Sequence, residues 1–132
     1  MDFNTNAGLD VYLVRRFDRE FTKAGIPKEK FKEAIKEITL SSCDSLGHKL
    51  FKKRIGGQGR GKRGAFRAIA YYRDGNLMIF THLFGKNEKE NITDKQKQGL
   101  ILLAKQFDVL TKARIDYLIK VGDLIKYDEN HT

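Results

Sequence analysis

The apolar pattern of the N-terminal third predicts one short strand followed by two amphipathic helices. The β-favouring run is Val11–Val14. Behind it, apolar residues recur at intervals of three or four positions, which is the period of a helix with one buried face. The first set is Phe17, Phe21 and Ala24, and the second is Phe31, Ala34, Ile35 and Ile38. Gly25 and Pro27 lie between the sets, where glycine suits a helix end and proline suits a helix start.

The middle of the chain predicts a meander of three strands. Ser41–Gly47 is expected to be a loop before them, and Gly56–Gly64, with five glycines in nine residues, is expected to be irregular. Asp74–Gly75–Asn76 has the composition of a tight turn, so the strands on either side of it should pair as antiparallel neighbours. The predicted strands are Leu50–Ile55, Ala65–Arg73 and Leu77–Phe84.

Two further helices complete the pattern. The first is capped by Thr93 or Asn91, and the second runs from a cap at Thr111 to Ile119. Asp123–Thr132 is expected to be a loosely held, flexible tail. The order of helices, meander and helices predicts the α+β class, and 132 residues fit a single domain over 1–132. The apolar face of the first helix is Leu100, Leu103, Ala104 and Phe107.

The net charge of +9 is concentrated in Ser45–Arg73, which we name the basic segment. It contains nine Lys and Arg residues and no Asp or Glu, whereas the remainder of the chain is balanced. A local excess of this kind is typical of a surface that binds a polyanion, although a solvated charged face is the plainer alternative. Two strands and a glycine-rich loop within the segment favour nucleic acid.

Other classes of function find little support in the composition. No apolar run approaches the roughly 20 residues of a membrane span, and the N-terminus has no signal-peptide pattern. Cys43 is the only cysteine, so a reducing, cytoplasmic location is expected. His48, His82 and His131 are too widely spaced to suggest a metal site, and no cofactor is expected. His82, within an apolar strand, is first interpreted as a core residue.

The glycine-rich loop resembles a nucleotide-binding loop only in part. Gly56–Lys62 matches the start of a Walker A motif, but Arg63 stands where Ser or Thr must hold magnesium. The loop also lies between two strands, so no helix start receives the phosphates. We instead expect its glycines to let the backbone approach RNA phosphates, with Arg60, Lys62 and Arg63 contacting them.

Strand alternation divides the cations of the basic segment between two faces. Lys53 points away from its neighbours in sequence, which share the opposite face. If helices cover only one face of the sheet, the open face presents a set of cations, with Tyr71 beside them to stack a base. Alternation alone leaves the register between the strands open. The predicted open-face cations are Lys52, Arg54, Arg67 and Arg73.

Four motifs in order resemble the RelE/ParE superfamily of bacterial toxins, in particular its RelE/HigB-like branch. They are the runs 50–55 (LFKKRI), 57–62 (GQGRGK), 64–67 (GAFR) and 84–92 (FGKNEKENI), and the resemblance covers about residues 10–120. It implies N-terminal helices packed on a small, mainly antiparallel sheet of three to four strands, with C-terminal helices. It also implies a type II toxin–antitoxin toxin that cleaves mRNA on the ribosome, and an antitoxin that is often a helix-turn-helix protein.

The same resemblance implies roles for individual residues. Lys52 and Arg54 match a pair of basic positions, and Arg67 matches an arginine that contacts the scissile phosphate. Lys86 belongs to the basic stretch after the third strand. Asn87 and Thr93 depart from the pattern, since some members have Arg and Tyr near these positions. The general acid is therefore left open among Lys86, Lys89 and His82, and the predicted RNA-binding set is Lys53, Arg60, Lys62, Arg63, Tyr71, Arg73 and Lys89.

Two other functions remain open on the sequence. A ParE-like toxin would inhibit a protein such as DNA gyrase without cutting RNA. The departures at Asn87 and Thr93 favour this reading, whereas the dense basic face argues against it. A non-catalytic module would bind RNA through phosphate contacts alone, with strong dependence on salt. In either toxin, an acidic or amphipathic segment of the antitoxin is expected to cover the basic segment.

Overall fold

A computed structural model of the protein describes residues 8–56, 66–85 and 92–128. These residues form six strands and four helices. They are β1 (Asp10–Val14), α1 (Arg15–Ala24), α2 (Lys28–Thr39), β2 (Asp44–Gly47), β3 (Leu50–Ile55), β4 (Phe66–Arg73), β5 (Leu77–Phe84), α3 (Asp94–Asp108), α4 (Lys112–Lys120) and β6 (Leu124–Tyr127). None of these helices is both long enough and apolar enough to cross a membrane.

The strands form one mixed sheet in the order β2-β3-β4-β5-β1-β6. β1 runs parallel to β5, and the other neighbouring pairs are antiparallel. The α+β class is confirmed, but the expected three to four strands were too few. β2 was predicted as a loop and β6 as part of a flexible tail. Both are four residues long, and β6 pairs with a strand at the opposite end of the chain, so local pattern gave little signal for either.

Helices α1 and α2 cover the first face of the sheet with aromatic packing. Phe31 is fully buried, and its ring centroid lies 4.7 Å from that of Phe80 on β5. Phe17 of α1 packs 5.2 Å from the same Phe80 ring. Gly25 ends α1 with a φ of 65°, the left-handed conformation that glycine adopts without strain. The apolar stripe predicted for α2 is confirmed, since Phe31, Ala34, Ile35 and Ile38 are all buried.

Helices α3 and α4 cover much of the second face. Leu100, Phe107 and Ile115 from these helices share a core with Ile69 and Tyr71 of β4. The expectation of one fully open sheet face was therefore wrong, because the two helix pairs pack on opposite faces of the sheet. The cap of α3 is Thr93, whose Oγ1 accepts a hydrogen bond of 3.1 Å from the backbone N–H of Gln96.

Tyr71 joins the sheet to the C-terminal end of α3. Its side chain is fully buried, and its hydroxyl donates a hydrogen bond to Asp108. Lys49 Nζ lies 3.2 Å from the same carboxylate. Burial and the bond to Asp108 raise the pKa of Tyr71, and the bond from Tyr71 lowers the pKa of Asp108. Because its ring packs against Phe107 in the core, the expected stacking of a base on Tyr71 was wrong.

Replacing Tyr71 by Phe removes the hydroxyl and keeps the ring. We expect the free energy of unfolding to fall by about 1–2 kcal/mol, because one charge-assisted hydrogen bond is lost. Urea unfolding of the two proteins measures the difference. The matched control is Tyr117→Phe on α4, where the tyrosine is exposed and the change should stay within about 0.5 kcal/mol. Equal losses for the two variants would contradict the assigned role of Tyr71.

Candidate functional site

The pairing of β3, β4 and β5 aligns cations and aromatic rings on the second face. Arg54 lies opposite Arg67, and Arg67 lies opposite Phe84 in the next strand. Two residues away along each strand, Lys52 lies opposite Ile69, and Ile69 lies opposite His82. Directly opposite side chains have Cβ atoms about 5 Å apart. We name Lys52, Arg54 and Arg67 the basic patch; His82 and Phe84 lie beside it.

A β-bulge at Thr81 determines which side chains of β5 face the basic patch. Ala70 pairs with Phe80 whereas Ile69 pairs with His82, so Thr81 is an extra residue in the ladder. Its Oγ1 donates a hydrogen bond of 3.2 Å to the carbonyl of Ile69. The bulge reverses the alternation of β5 and turns His82 and Phe84 toward the cations, which is a common use of bulges beside functional sites. The sequence carries no pattern that marks this bulge.

Three cations lie close together in the basic patch. Arg54 and Arg67 are a directly opposed pair of like charges, an arrangement that destabilises a sheet unless an anion is nearby. Within the described residues, neither Lys52 nor Arg54 has an ion-pair partner. Arg54 is exposed, and Lys52 and Arg67 are half-buried. The geometry therefore suits a ligand with closely spaced negative charges, such as the phosphates of a nucleic acid.

His82 is half-buried beside this patch rather than enclosed in the core. Its Nδ1 lies 2.9 Å from Thr81 Oγ1, and its ring stacks on Phe84 with centroids 6.1 Å apart. Since Thr81 gives its single hydroxyl proton to Ile69, the hydrogen-bond network assigns the proton of neutral His82 to Nδ1. Nε2 is then the basic nitrogen. Burial, followed by the positive charge of Arg16, lowers the pKa of His82 and favours the neutral form at pH 7.

Two predicted RNA-binding cations lie away from the basic patch. Lys53 is on the first face, where its Nζ is 2.5 Å from Glu37 Oε1. Arg73 is on the second face but at the far end of β4, where it donates a hydrogen bond of 3.3 Å to the carbonyl of Leu110. The proposed grouping of Arg73 with Arg67 on an open face was therefore wrong. Strand alternation assigned the correct face to both residues. It does not show how far apart two residues lie along a strand, or which helices cover that face.

Five of the predicted site residues lie in two stretches that the structure does not describe. They belong to the glycine-rich loop and to the segment that follows β5, and both lie outside the described residues. These residues are Arg60, Lys62, Arg63, Lys86 and Lys89.

Among the described residues there is neither a cluster suited to a metal ion nor an activated thiol. No group of three or more His, Cys, Asp or Glu side chains there is arranged to hold a metal ion. Cys43 is half-buried, and burial raises the pKa of its thiol, which disfavours the reactive thiolate.

Comparison with known families identifies the group to which this fold belongs. The family model described as the RelE toxin of the RelE / RelB toxin-antitoxin system matches residues 9–126. The chain belongs to the RelE toxin family. The match extends from β1 to β6 and thus includes the whole described sheet. No curated protein matches the chain. Membership of a toxin–antitoxin family implies that this RelE-family toxin has a cognate antitoxin as a partner.

The titration of His82 tests the electrostatics of the site. We expect its pKa, followed by NMR of the imidazole protons, to lie below 6.5 in the folded toxin. Arg16→Gln should raise this pKa without restoring 6.5, because burial is the larger cause. Arg19→Gln on the same helix is the matched control and should change the pKa less. A pKa at or above 6.5, or one unaffected by loss of Arg16, would contradict the described environment.

Proposed function

We propose that this RelE-family toxin is a metal-independent endoribonuclease of the RelE/HigB type that cleaves mRNA on the ribosome, in the cytoplasm, and so stops translation. The observation that carries the proposal is the basic patch with the neutral imidazole of His82 on the same face. Cations that can bind a phosphate and a group that can accept the 2′-hydroxyl proton are two of the elements that such a cleavage needs.

The proposed reaction uses the RNA's own 2′-hydroxyl as the nucleophile. The 2′-oxygen attacks the adjacent phosphorus, and the bond from phosphorus to the 5′-oxygen breaks. The products are a 2′,3′-cyclic phosphate and a fragment with a 5′-hydroxyl. One proton leaves the 2′-oxygen and one proton is given to the 5′-oxygen, so the reaction consumes no water and needs no external nucleophile.

The basic patch supplies electrostatic stabilisation in this proposal. Arg67 contacts the scissile phosphate, and Arg54 and Lys52 complete a cluster of donors around the oxygens of the pentacoordinate phosphorus. Fixed donors directed at developing negative charge are commonly the largest single contribution to enzymatic rate enhancement. The planar guanidinium groups of Arg54 and Arg67 are suited to this role because each offers paired N–H donors to two oxygens.

Two residues carry out the proton transfers in this proposal. His82 Nε2 accepts the proton of the 2′-hydroxyl, because the contact with Thr81 leaves this nitrogen basic. We assign donation to the 5′-oxygen to Lys86, which follows β5 by two positions. The flanking RNA backbone is assigned to four further cations, which belong to the glycine-rich loop and to the segment that follows β5. They are Arg60, Lys62, Arg63 and Lys89.

Arg67→Ala tests the phosphate contact. We expect the rate of mRNA cleavage by the purified toxin on ribosomes to fall by about 100- to 1000-fold, because one stabilising donor is lost. Growth arrest on expression should be relieved in parallel. Arg114→Ala, on the surface of α4 and away from the patch, is the control and should leave both readouts unchanged. Equal cleavage by the two variants would show that the site is misplaced.

The same preparations separate the other two functions. A wild-type toxin that cuts no RNA but inhibits gyrase supercoiling would support a ParE-like activity. Salt-sensitive RNA binding without new 5′ ends would support a non-catalytic module.

The pH dependence of cleavage tests the role of His82. Protonated His82 cannot accept the 2′-hydroxyl proton, so the rate should fall as the pH drops through its lowered pKa, which lies below 6.5. We expect His82→Asn to slow cleavage at pH 7.5 by about 100-fold or more and to abolish this acidic decline. His48→Asn is the matched control. An unchanged pH–rate profile in His82→Asn would contradict the assignment.

A further inference from the structure

The edge of the sheet beside His82 is left open by the length of β1. β1 pairs with β5 only as far as Phe80, so from Thr81 to Phe84 no described strand lies on that side of β5. Backbone N–H and C=O groups on an open edge are available to a ligand. A cavity of about 110 Å³ lies along this edge, between the end of β5 and helix α1.

Two opposite charges from α1 line this cavity. Arg16 and Glu20 are separated by one helical turn, so their side chains project from the same side of the helix. Both residues are exposed, and within the described chain neither forms an ion pair with the other or with a third residue. The cavity therefore presents a carboxylate acceptor and a guanidinium donor side by side.

The cavity adjoins the basic patch through His82 and Phe84, which line it and also lie next to the cations. Arg16 is close enough to His82 to influence its charge state. The ring of Phe84 is half-buried and offers an aromatic surface at the boundary. A nucleotide whose phosphate occupies the basic patch would thus have its neighbouring base within reach of the cavity.

We propose that this cavity is a nucleobase subsite that selects guanine at the position next to the cleaved phosphate. Guanine has two adjacent N–H donors on its Watson–Crick edge, which match the two oxygens of Glu20. Its O6 and N7 are adjacent acceptors, which match the guanidinium of Arg16. Unstacked bases of single-stranded RNA are commonly read in this way, by hydrogen bonds to their edges and by aromatic stacking. The proposal rests on the proposed RNA cleavage for its biological role.

Binding of mononucleotides tests the subsite without cleavage. The full-length toxin is titrated with GMP, AMP, CMP and UMP while its amide resonances are followed by NMR. We expect GMP to shift the amides of Thr81–Phe84 more than the other nucleotides do. Glu20→Gln should weaken GMP binding by about tenfold, because one bidentate contact is lost. The control is Glu29→Gln on the exposed face of α2, which should bind GMP as the wild type does.

Mapping of 5′ ends after cleavage provides the second readout. Wild-type toxin and Glu29→Gln should enrich guanine beside the cut, and Glu20→Gln should lose that enrichment. If Glu20→Gln binds GMP as tightly as the wild type, or cuts with the same preference, the subsite is overturned and RNA cleavage stands. If GMP binding depends on Glu20 but the wild type cuts no RNA, the subsite stands and the proposed function fails.

Discussion

Strand β4 lies between β3 and β5, and its register with both determines which side chains share the second face. On one side it opposes Arg67 to Arg54, and on the other it accommodates the bulge at Thr81. That one extra residue turns His82 toward the cations and provides the hydroxyl that fixes its tautomer. The basic patch, the position of His82 and the adjoining cavity all depend on this pairing.

The two helix pairs restrict the exposed part of the sheet to one end. The hydrogen bond from Tyr71 to Asp108 joins the end of α3 to the middle of the sheet. The part of the second face that α3 and α4 cover is therefore core. Strand alternation places cations along two strands. Because the helices cover the rest of the second face, the uncovered cations lie together at the end near Arg67. The overall excess of +9 thus matters less for function than the place where the helices leave cations uncovered.

The helices were predictable because each repeats an apolar stripe over several turns, as Phe31 to Ile38 do in α2. The three central strands followed from alternation and from the turn at Asp74, where φ is positive. β6 was missed because its pairing with β1 joins distant parts of the chain. Tyr71 was assigned to RNA because alternation shows which residues share a face but not what covers it. His82 was undervalued because a bulge that reverses parity leaves no periodic signal.

The chemical nature of the RNA ends tests the central claim most directly. Purified toxin is incubated with translating ribosomes, and the new 5′ ends are ligated to an adaptor with and without prior kinase treatment. Attack by the 2′-hydroxyl predicts 5′-hydroxyl ends, which ligate only after phosphorylation, together with 2′,3′-cyclic phosphates on the upstream fragments. Fragments that carry 5′-phosphates, as produced by attack of water, would contradict cleavage through the basic patch and His82.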